Sequence, residues 1–306
     1  HPPAACTARP DGLIVVRVSF LWPRGRAMTL NDDWVTEICD DGGSAFSLRK
    51  SEKVFDRQSD YQRVEVYQTD TYGKLMMIDG CTMVSSRENF IYHEMISHPA
   101  LFLHPDPRHV AIIGGGDCGT LGEVLKHPEV EKAIQIDIDA VVTEAALAHF
   151  PELCSANSDP RAELLFSDGI QWIKQAPAAS LDLIIVDSTD PVGPGEVLFT
   201  AEFYAACHSA LREGGLIVQQ SESPLLHQSL MQRMSADMRR AGFDGVRTLS
   251  FPQPVYPSGW WSATMAGKSA DFPKARYAAM QELQAMRYFN AAIFDGAMAI
   301  PEFMAP

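Results

Sequence analysis

Residues 109–127 read His-Val-Ala-Ile-Ile-Gly-Gly-Gly-Asp-Cys-Gly-Thr-Leu-Gly-Glu-Val-Leu-Lys-His. The apolar run 110–113 ends in three glycines and an aspartate. Leu121, Val124 and Leu125 then follow at helical spacing, giving the strand, tight turn and helix of a nucleotide-binding βαβ unit. Gly114, Gly115 and Gly116 can take backbone angles closed to other residues and let a ligand lie against the main chain. Asp117 stands where a phosphate-binding loop would offer only neutral backbone donors, so its carboxylate argues against a pyrophosphate and for a cationic group above the loop. Further on, 133–136 ends in Asp137, the position from which an acid accepts hydrogen bonds from ribose hydroxyls. Asp139, one residue before the next helical pattern, suits the cap of that helix better than Asp137 does. These residues describe a nucleoside site.

Outward from that unit, strands are predicted at 109–113, 132–137, 162–167, 181–187 and 215–220, and helices at 119–127, 140–149, 169–175, 200–212 and 228–241. This alternation predicts a doubly wound, mostly parallel α/β sheet, closed by an antiparallel pair at 246–251 and 259–266 and followed by a helical 275–297. Asp137, Asp168 and Asp187 each end or follow a strand, and Asp117 lies just past the glycines of the first, so all four converge on the crevice at the carboxyl ends. Ahead of this, 46–54, 63–69, 73–78 and 81–85 have β texture, with Asp79-Gly80 a strong hairpin signal. Residues 88–103 read as a helix that Pro99 must kink or split. The domain reading is an entry segment 1–43, a small antiparallel β domain 44–87 and a Rossmann-like domain 88–306. Residues 1–27, rich in proline and arginine, carry charges inside and after an apolar run, unlike a secretory signal, and are read as an extension with little role in the fold.

The chain has 306 residues, 46% of them hydrophobic, and a formal net charge of −14. That balance disfavours nucleic-acid binding and favours cationic ligands. No apolar stretch approaches the ~18 residues of a membrane span. The six cysteines form no C-x-x-C pair, which signals neither zinc nor a disulfide framework and suits reduced cytoplasmic thiols.

Several stretches in order resemble the polyamine aminopropyltransferase family, in its spermidine-forming branch. They are Trp34-Val35-Thr36-Glu37, Tyr72-Gly73-Lys74, Ile78-Asp79-Gly80, Tyr92-His93-Glu94-Met95, the Gly-Gly-Gly-Asp loop, Asp168-Gly169, Asp187-Ser188-Thr189-Asp190-Pro191-Val192-Gly193-Pro194 and Tyr256-Pro257-Ser258-Gly259. The resemblance spans residues 34–266 and implies a class I methyltransferase-like sheet. It also implies transfer of an aminopropyl group from decarboxylated S-adenosylmethionine, a co-substrate, to putrescine, without metal or further cofactor, by a homodimer or homotetramer. An ordinary methyltransferase must hold the carboxylate of S-adenosylmethionine near its glycine loop, whereas the decarboxylated donor presents an ammonium there. Asp117 favours the second: unit charges ~4 Å apart interact by roughly 4 kcal/mol at an effective dielectric of 20.

By the same resemblance, Gln62, Gly114, Gly115, Gly116, Asp117, Asp137, Asp168 and Gly169 would bind the donor, with Asp137 where the family usually has Glu. Trp34, His93, Asp190, Gln220, Glu222 and Tyr256 would line the acceptor channel. Asp187 would take or relay the amine proton with help from the Tyr92 hydroxyl. Cys118 replaces a common family glycine and Gly122 a common arginine. The proline- and glycine-rich stretch 190–199 reads either as a lid over the substrates or as a rigid turn. Trp260-Trp261 reads as core ahead of channel wall. A diamine N-methyltransferase using S-adenosylmethionine, or a non-catalytic polyamine or nucleoside binder, would share the pocket. The choice among putrescine, cadaverine, agmatine and spermidine depends on channel depth.

Overall fold

A computed structural model describes residues 30–40, 42–189 and 193–304, together with the backbone of two short paired strands, β1 (Cys6–Ala8) and β2 (Ile14–Val16). Apart from those two strands, the 1–27 extension lies outside the described residues.

Five strands form an antiparallel sheet in sequence order: β3 (Trp34–Cys39), β4 (Ser44–Gln58), β5 (Arg63–Thr69), β6 (Lys74–Ile78) and β7 (Cys81–Ser85). The sheet starts at Trp34, ahead of the 44–87 stretch assigned to it from sequence. β4 is long enough to pair with β3 through its first half and with β5 through its second, bending at two register shifts. Asp79 and Gly80 both take positive φ, 48° and 86°, as a two-residue hairpin between β6 and β7 requires.

Helix α1 (Asn89–Leu103) leads into the second sheet and runs on through Pro99 as one element. There follow β8 (His109–Gly114), α2 (Gly119–Leu125), β9 (Lys132–Asp137), α3 (Ala140–His149), β10 (Ala162–Phe166), α4 (Gly169–Gln175), β11 (Leu181–Asp187), α5 (Ala201–Ala210), β12 (Leu211–Gln220), α6 (Gln228–Arg240), β13 (Gly245–Pro252), β14 (Trp260–Gly267), α7 (Tyr277–Glu282) and α8 (Ala291–Ala297). The strand order is β10-β9-β8-β11-β12-β14-β13, parallel from β10 to β12, with β14 antiparallel to both its neighbours. This is the α/β, class I methyltransferase-like sheet expected. The chain order reverses between β8 and β11, which makes their carboxyl ends the crevice of the fold.

Alternation along the central strands divides the core into two layers. Val110, Ile112, Leu183, Ile185 and Val218 pack toward α1 and the C-terminal helices, while Ala111, Ile113, Ile184, Val186 and Ile217 pack toward α4, α5 and α6. Strands buried on both faces need unbroken apolar runs, and each such side chain contributes roughly 1.5–3 kcal/mol. Val142, Ala145 and Ala146 of α3 meet Val64, Val66 and Met76 of the small sheet, so the two sheets share a core.

The predicted helix over 275–297 is instead α7 and α8 separated by an extended link. The backbone N–H groups of Arg287, Tyr288 and Phe289 in that link all donate to the fully buried Glu94 carboxylate, at 2.8, 2.9 and 2.7 Å. Within an unbroken helix over 275–297 those N–H groups would be bonded to carbonyls four residues back. Among the described residues, no helix is long and apolar enough to cross a membrane.

Candidate active site

A cavity of about 310 Å³ opens at the carboxyl ends of β8, β9 and β11 and extends beneath the small sheet. Gly114 brings β8 against β11 here: its φ is 86°, and a Cβ would lie 2.1 Å from the Asp187 carbonyl oxygen. Close approach of main chain to main chain is thus one reason for the glycines.

Asp187 ends β11 and faces the cavity with both carboxylate oxygens held. The Tyr92 hydroxyl donates to Oδ1 at 2.7 Å and the Thr120 hydroxyl to Oδ2 at 2.6 Å. Burial and the nearby Asp117 carboxylate push the Asp187 carboxyl up, while His93, Thr120 and Tyr92 pull it down. Burial, with Asp187 close by, also pushes the Tyr92 phenol well up, so it stays a donor.

Asp117 accepts from the Gly119 N–H at 2.9 Å through Oδ1 and contacts His93 Nε2 at 3.1 Å through Oδ2. Burial alone would push the His93 imidazole down, but the Asp117 carboxylate lifts it to about 9. The His93 ring occupies the space a Gly119 side chain would need, 2.1 Å from an added Cβ, so glycine at 119 is what seats it. With both carboxylates ionised and the imidazole protonated, the three groups sum to a net charge of −1. Attraction of a cation therefore belongs to the cluster and not to Asp117 alone.

On the nucleoside side, Asp137 accepts from the Asp139 N–H at 2.8 Å, and burial pushes its carboxyl up to about 6. Asp139 caps α3 through the Val141 N–H at 3.0 Å, as expected, and also accepts from Ser59 Oγ, at 2.7 Å. That bond ties the Ser59–Gln62 turn, and so Gln62, to the cavity wall. Asp168 caps α4 with Oδ1 alone, accepting from Ile170 and Gln171 N–H at 2.8 and 3.2 Å, which leaves Oδ2 for the cavity.

Gly114, Gly115, Gly116, Gly169, Gln220 and Tyr256 also line the cavity, whereas Trp34, His93 and Glu222 do not. Side chains of β3 alternate, so buried Val35 and Glu37 face inward while Trp34 starts the opposite row. His93 follows Tyr92 on α1, about 100° around the helix, and lies behind Asp117. Glu222, at φ 66°, turns away to His227, 3.3 Å distant. Asp190 lies outside the described residues. Of the loop over 190–199, a 3-10 turn at Gly193–Phe199 is described, and Gly195 and Leu198 line the cavity.

Glu37, of the Trp34-Val35-Thr36-Glu37 stretch, is assigned no role by the sequence pattern. It is buried, lines the far end of the cavity and accepts from the Thr82 N–H at 2.9 Å. Tyr256 donates to the Met83 carbonyl at 2.5 Å and stacks edge-on against Tyr92 and Trp261, at 5.8 and 4.7 Å. Trp261 is both core and cavity wall. Cys118 takes φ 69°, the backbone reason a glycine is favoured there.

A family model described as the spermine/spermidine synthase domain matches residues 89–275, and one described as the spermidine synthase tetramerisation domain matches residues 33–85. The chain is 60% identical over 272 residues to a polyamine aminopropyltransferase of Methylococcus capsulatus, covering 89% of this chain and 95% of that one. It is 54% identical over 271 residues to a polyamine aminopropyltransferase of Nitrosococcus oceani, with the same two coverages, 89% and 95%. Among solved structures, a spermidine synthase in complex with the transition state analogue AdoDATO matches with a TM-score of 0.85 at 34% identity, covering 92% of this chain and 96% of that one. Spermidine synthase from Thermotoga maritima gives 0.83 at 33%, with the same coverages, 92% and 96%.

Proposed function

This chain belongs to the spermine/spermidine synthase family, and we infer that it is a transferase moving an aminopropyl group from decarboxylated S-adenosylmethionine to putrescine, leaving spermidine and 5'-methylthioadenosine. The observation that carries this reading is the Tyr92–Asp187 pair beside Asp117, at the end of a nucleoside-sized cavity.

In this reading Asp137 accepts from the ribose hydroxyls and the spare oxygen of Asp168 from the adenine amino group. Gln62 lies near the donor's other end, and the aminopropyl ammonium rests in the field of Asp117 and Asp187. The diamine lies toward Gln220, Tyr256 and Glu37, with the Glu37 carboxylate holding its distal ammonium.

A putrescine amine, with a pKa like that of Lys, ~10.4, is protonated at neutral pH and has no lone pair to give. Asp187 accepts its proton. The freed nitrogen pair forms a bond to the carbon next to sulfur, in line with the carbon–sulfur bond. As that bond breaks, its electrons stay on sulfur, and the sulfonium becomes a neutral thioether. The raised Asp187 carboxyl suits the task, since a base closer to working pH takes the proton more readily.

The test is mass spectrometry of products after incubation with each donor, decarboxylated or intact, and each of putrescine, cadaverine, agmatine and spermidine. Methylthioadenosine with spermidine, from the decarboxylated donor only, is the expected result. Methylated diamine from S-adenosylmethionine would overturn it.

Self-association through the β3–β7 sheet is part of the same proposal. Trp34 and Ile38 share the outer row of β3, exposed at 37% and 71%, and set two large apolar side chains on this strand at the sheet's edge. Sedimentation at micromolar concentration should show a dimer or tetramer, and a monomer would exclude it.

A further inference from the structure

We propose that Thr120 is the positioning residue that aims the Asp187 carboxylate at the acceptor amine, an inference that rests on the aminopropyl-transfer reading. Thr120 lies in the first turn of α2 and is fully buried. Its hydroxyl is 2.6 Å from Asp187 Oδ2, on the oxygen opposite the one bound by Tyr92. An aspartate at a strand end can turn about two side-chain torsions. Held at one oxygen, it still swings; held at both, from α1 on one side and α2 on the other, its plane is fixed. Glycine at 115 leaves the room Oδ2 needs, since a Cβ there would lie 3.0 Å from it. A carboxylate has about four acceptor positions. Two are taken by the hydroxyls, and the others remain for the amine.

The bond also acts on proton affinity. The ionisable groups facing Asp187 are Tyr92 and His93 of α1, Asp117 of the glycine loop and Asp137 at the end of β9. Burial and Asp117 favour the protonated acid, which cannot act as a base. His93, Thr120 and Tyr92 favour the carboxylate. Thr120 contributes to that balance without bearing charge and without lining the cavity, so its effect reaches the substrate only through Asp187.

The substitution that separates these roles is Thr120→Val, which keeps the shape and removes the hydroxyl. The acid limb of the kcat profile should move up by about one pH unit, so that turnover falls up to about tenfold on that limb and recovers at higher pH. Donor affinity by calorimetry at a pH above that limb, where Asp187 is ionised in both proteins, should stay within about twofold, which also shows that the variant is folded. Thr120→Ser restores the hydroxyl and should return the profile to that of the unsubstituted protein. A Thr120→Val enzyme with an unmoved acid limb, or a Thr120→Ser enzyme as impaired as Thr120→Val, would overturn the proposal.

A carboxyl-carbon NMR titration of the ligand-free protein, with the Asp187 signal assigned by its loss in Asp187→Asn, gives the same answer without turnover. Thr120→Val should raise that titration, and an unchanged titration counts against the role. If the unsubstituted protein made no methylthioadenosine, the reaction would be refuted while the titration still decided what Thr120 does to Asp187.

Discussion

In the half of the cavity proposed for the nucleoside, Asp117, Asp137, Asp168 and Asp187 all stand at or just past strand ends of one sheet, joined by one ladder of hydrogen bonds. The half proposed for the diamine draws Glu37 from β3, Thr82 from β7, Gln220 from the end of β12 and Tyr256 from the turn before β14, four elements of two sheets. One half is fixed by backbone register, the other by how two sheets dock. Substitutions in the first should therefore alter chemistry or donor binding. Those in the second should alter acceptor affinity.

The sharpest break in that division would come from Asp187→Asn, which keeps the shape and removes the charge and the proton acceptor. Turnover should fall on the order of 10²–10⁴, the usual contribution of a general base, while donor affinity loses only the attraction that Asp187 lends to the aminopropyl ammonium. Higher pH should partly restore it, because more diamine is then free base. Turnover within a few-fold at neutral pH would mean the proton leaves by another route.

Glu37→Gln tests the other half. Losing one charge-assisted contact should raise the diamine KM by roughly 10–100-fold, with kcat and donor affinity little changed. A kcat loss equal to the KM effect would move Glu37 into the chemical step and erase the division.

A smaller effect is expected from pH acting on Asp137. Burial lifts its carboxyl from 3.8 to about 6, so below pH 6 the free protein increasingly carries the neutral acid, which is a poorer acceptor for ribose hydroxyls. Donor affinity by calorimetry should fall about tenfold from pH 7 to pH 5, and Asp137→Asn should flatten the dependence. For folding the sign is opposite. The folded state holds this proton more tightly than the unfolded chain, so the group's contribution to stability is largest below 3.8 and is lost as pH rises through 6.

The smallest effect should leave both halves untouched. Gly122 lies inside α2, and an added Cβ would meet only the Leu153 carbonyl oxygen, at 3.7 Å. Gly122→Ala should stabilise the fold by about 1 kcal/mol in a thermal melt, with unchanged KM for both substrates.

The contrast between the halves also explains what could be read from sequence. Asp117, Asp137, Asp168 and Asp187 are readable because each is fixed by a local strand-and-turn pattern, and the mostly parallel α/β class follows from alternation along the chain, which leaves the strand order open. The family resemblance puts Trp34 in the channel and gives Glu37 no role, although a two-residue period puts Val35 and Glu37 in one row and Trp34 in the other. The same rule for helices would have separated Tyr92 from His93. Thr120 carried no such signal. Its bond to Asp187 spans 67 residues and exists only because β8 and β11 are neighbours. The break between α7 and α8 is likewise set from elsewhere, by Glu94.

Glu94 has a bearing on when the enzyme comes alive during synthesis. Its neighbours on α1, Tyr92 and His93, hold Asp187 and Asp117, and Glu94 itself is satisfied by the backbone of residues 287–289. A nascent chain emerges amino end first. Until residues 287–289 leave the ribosome, the Glu94 carboxylate on α1 lacks the backbone donors it has in the folded protein, and the helix that aligns both aspartates is not yet clamped. Competence should arrive in one step once those residues emerge, and a chain stopped short of residue 287 should hold the strands of the large sheet and still be inert.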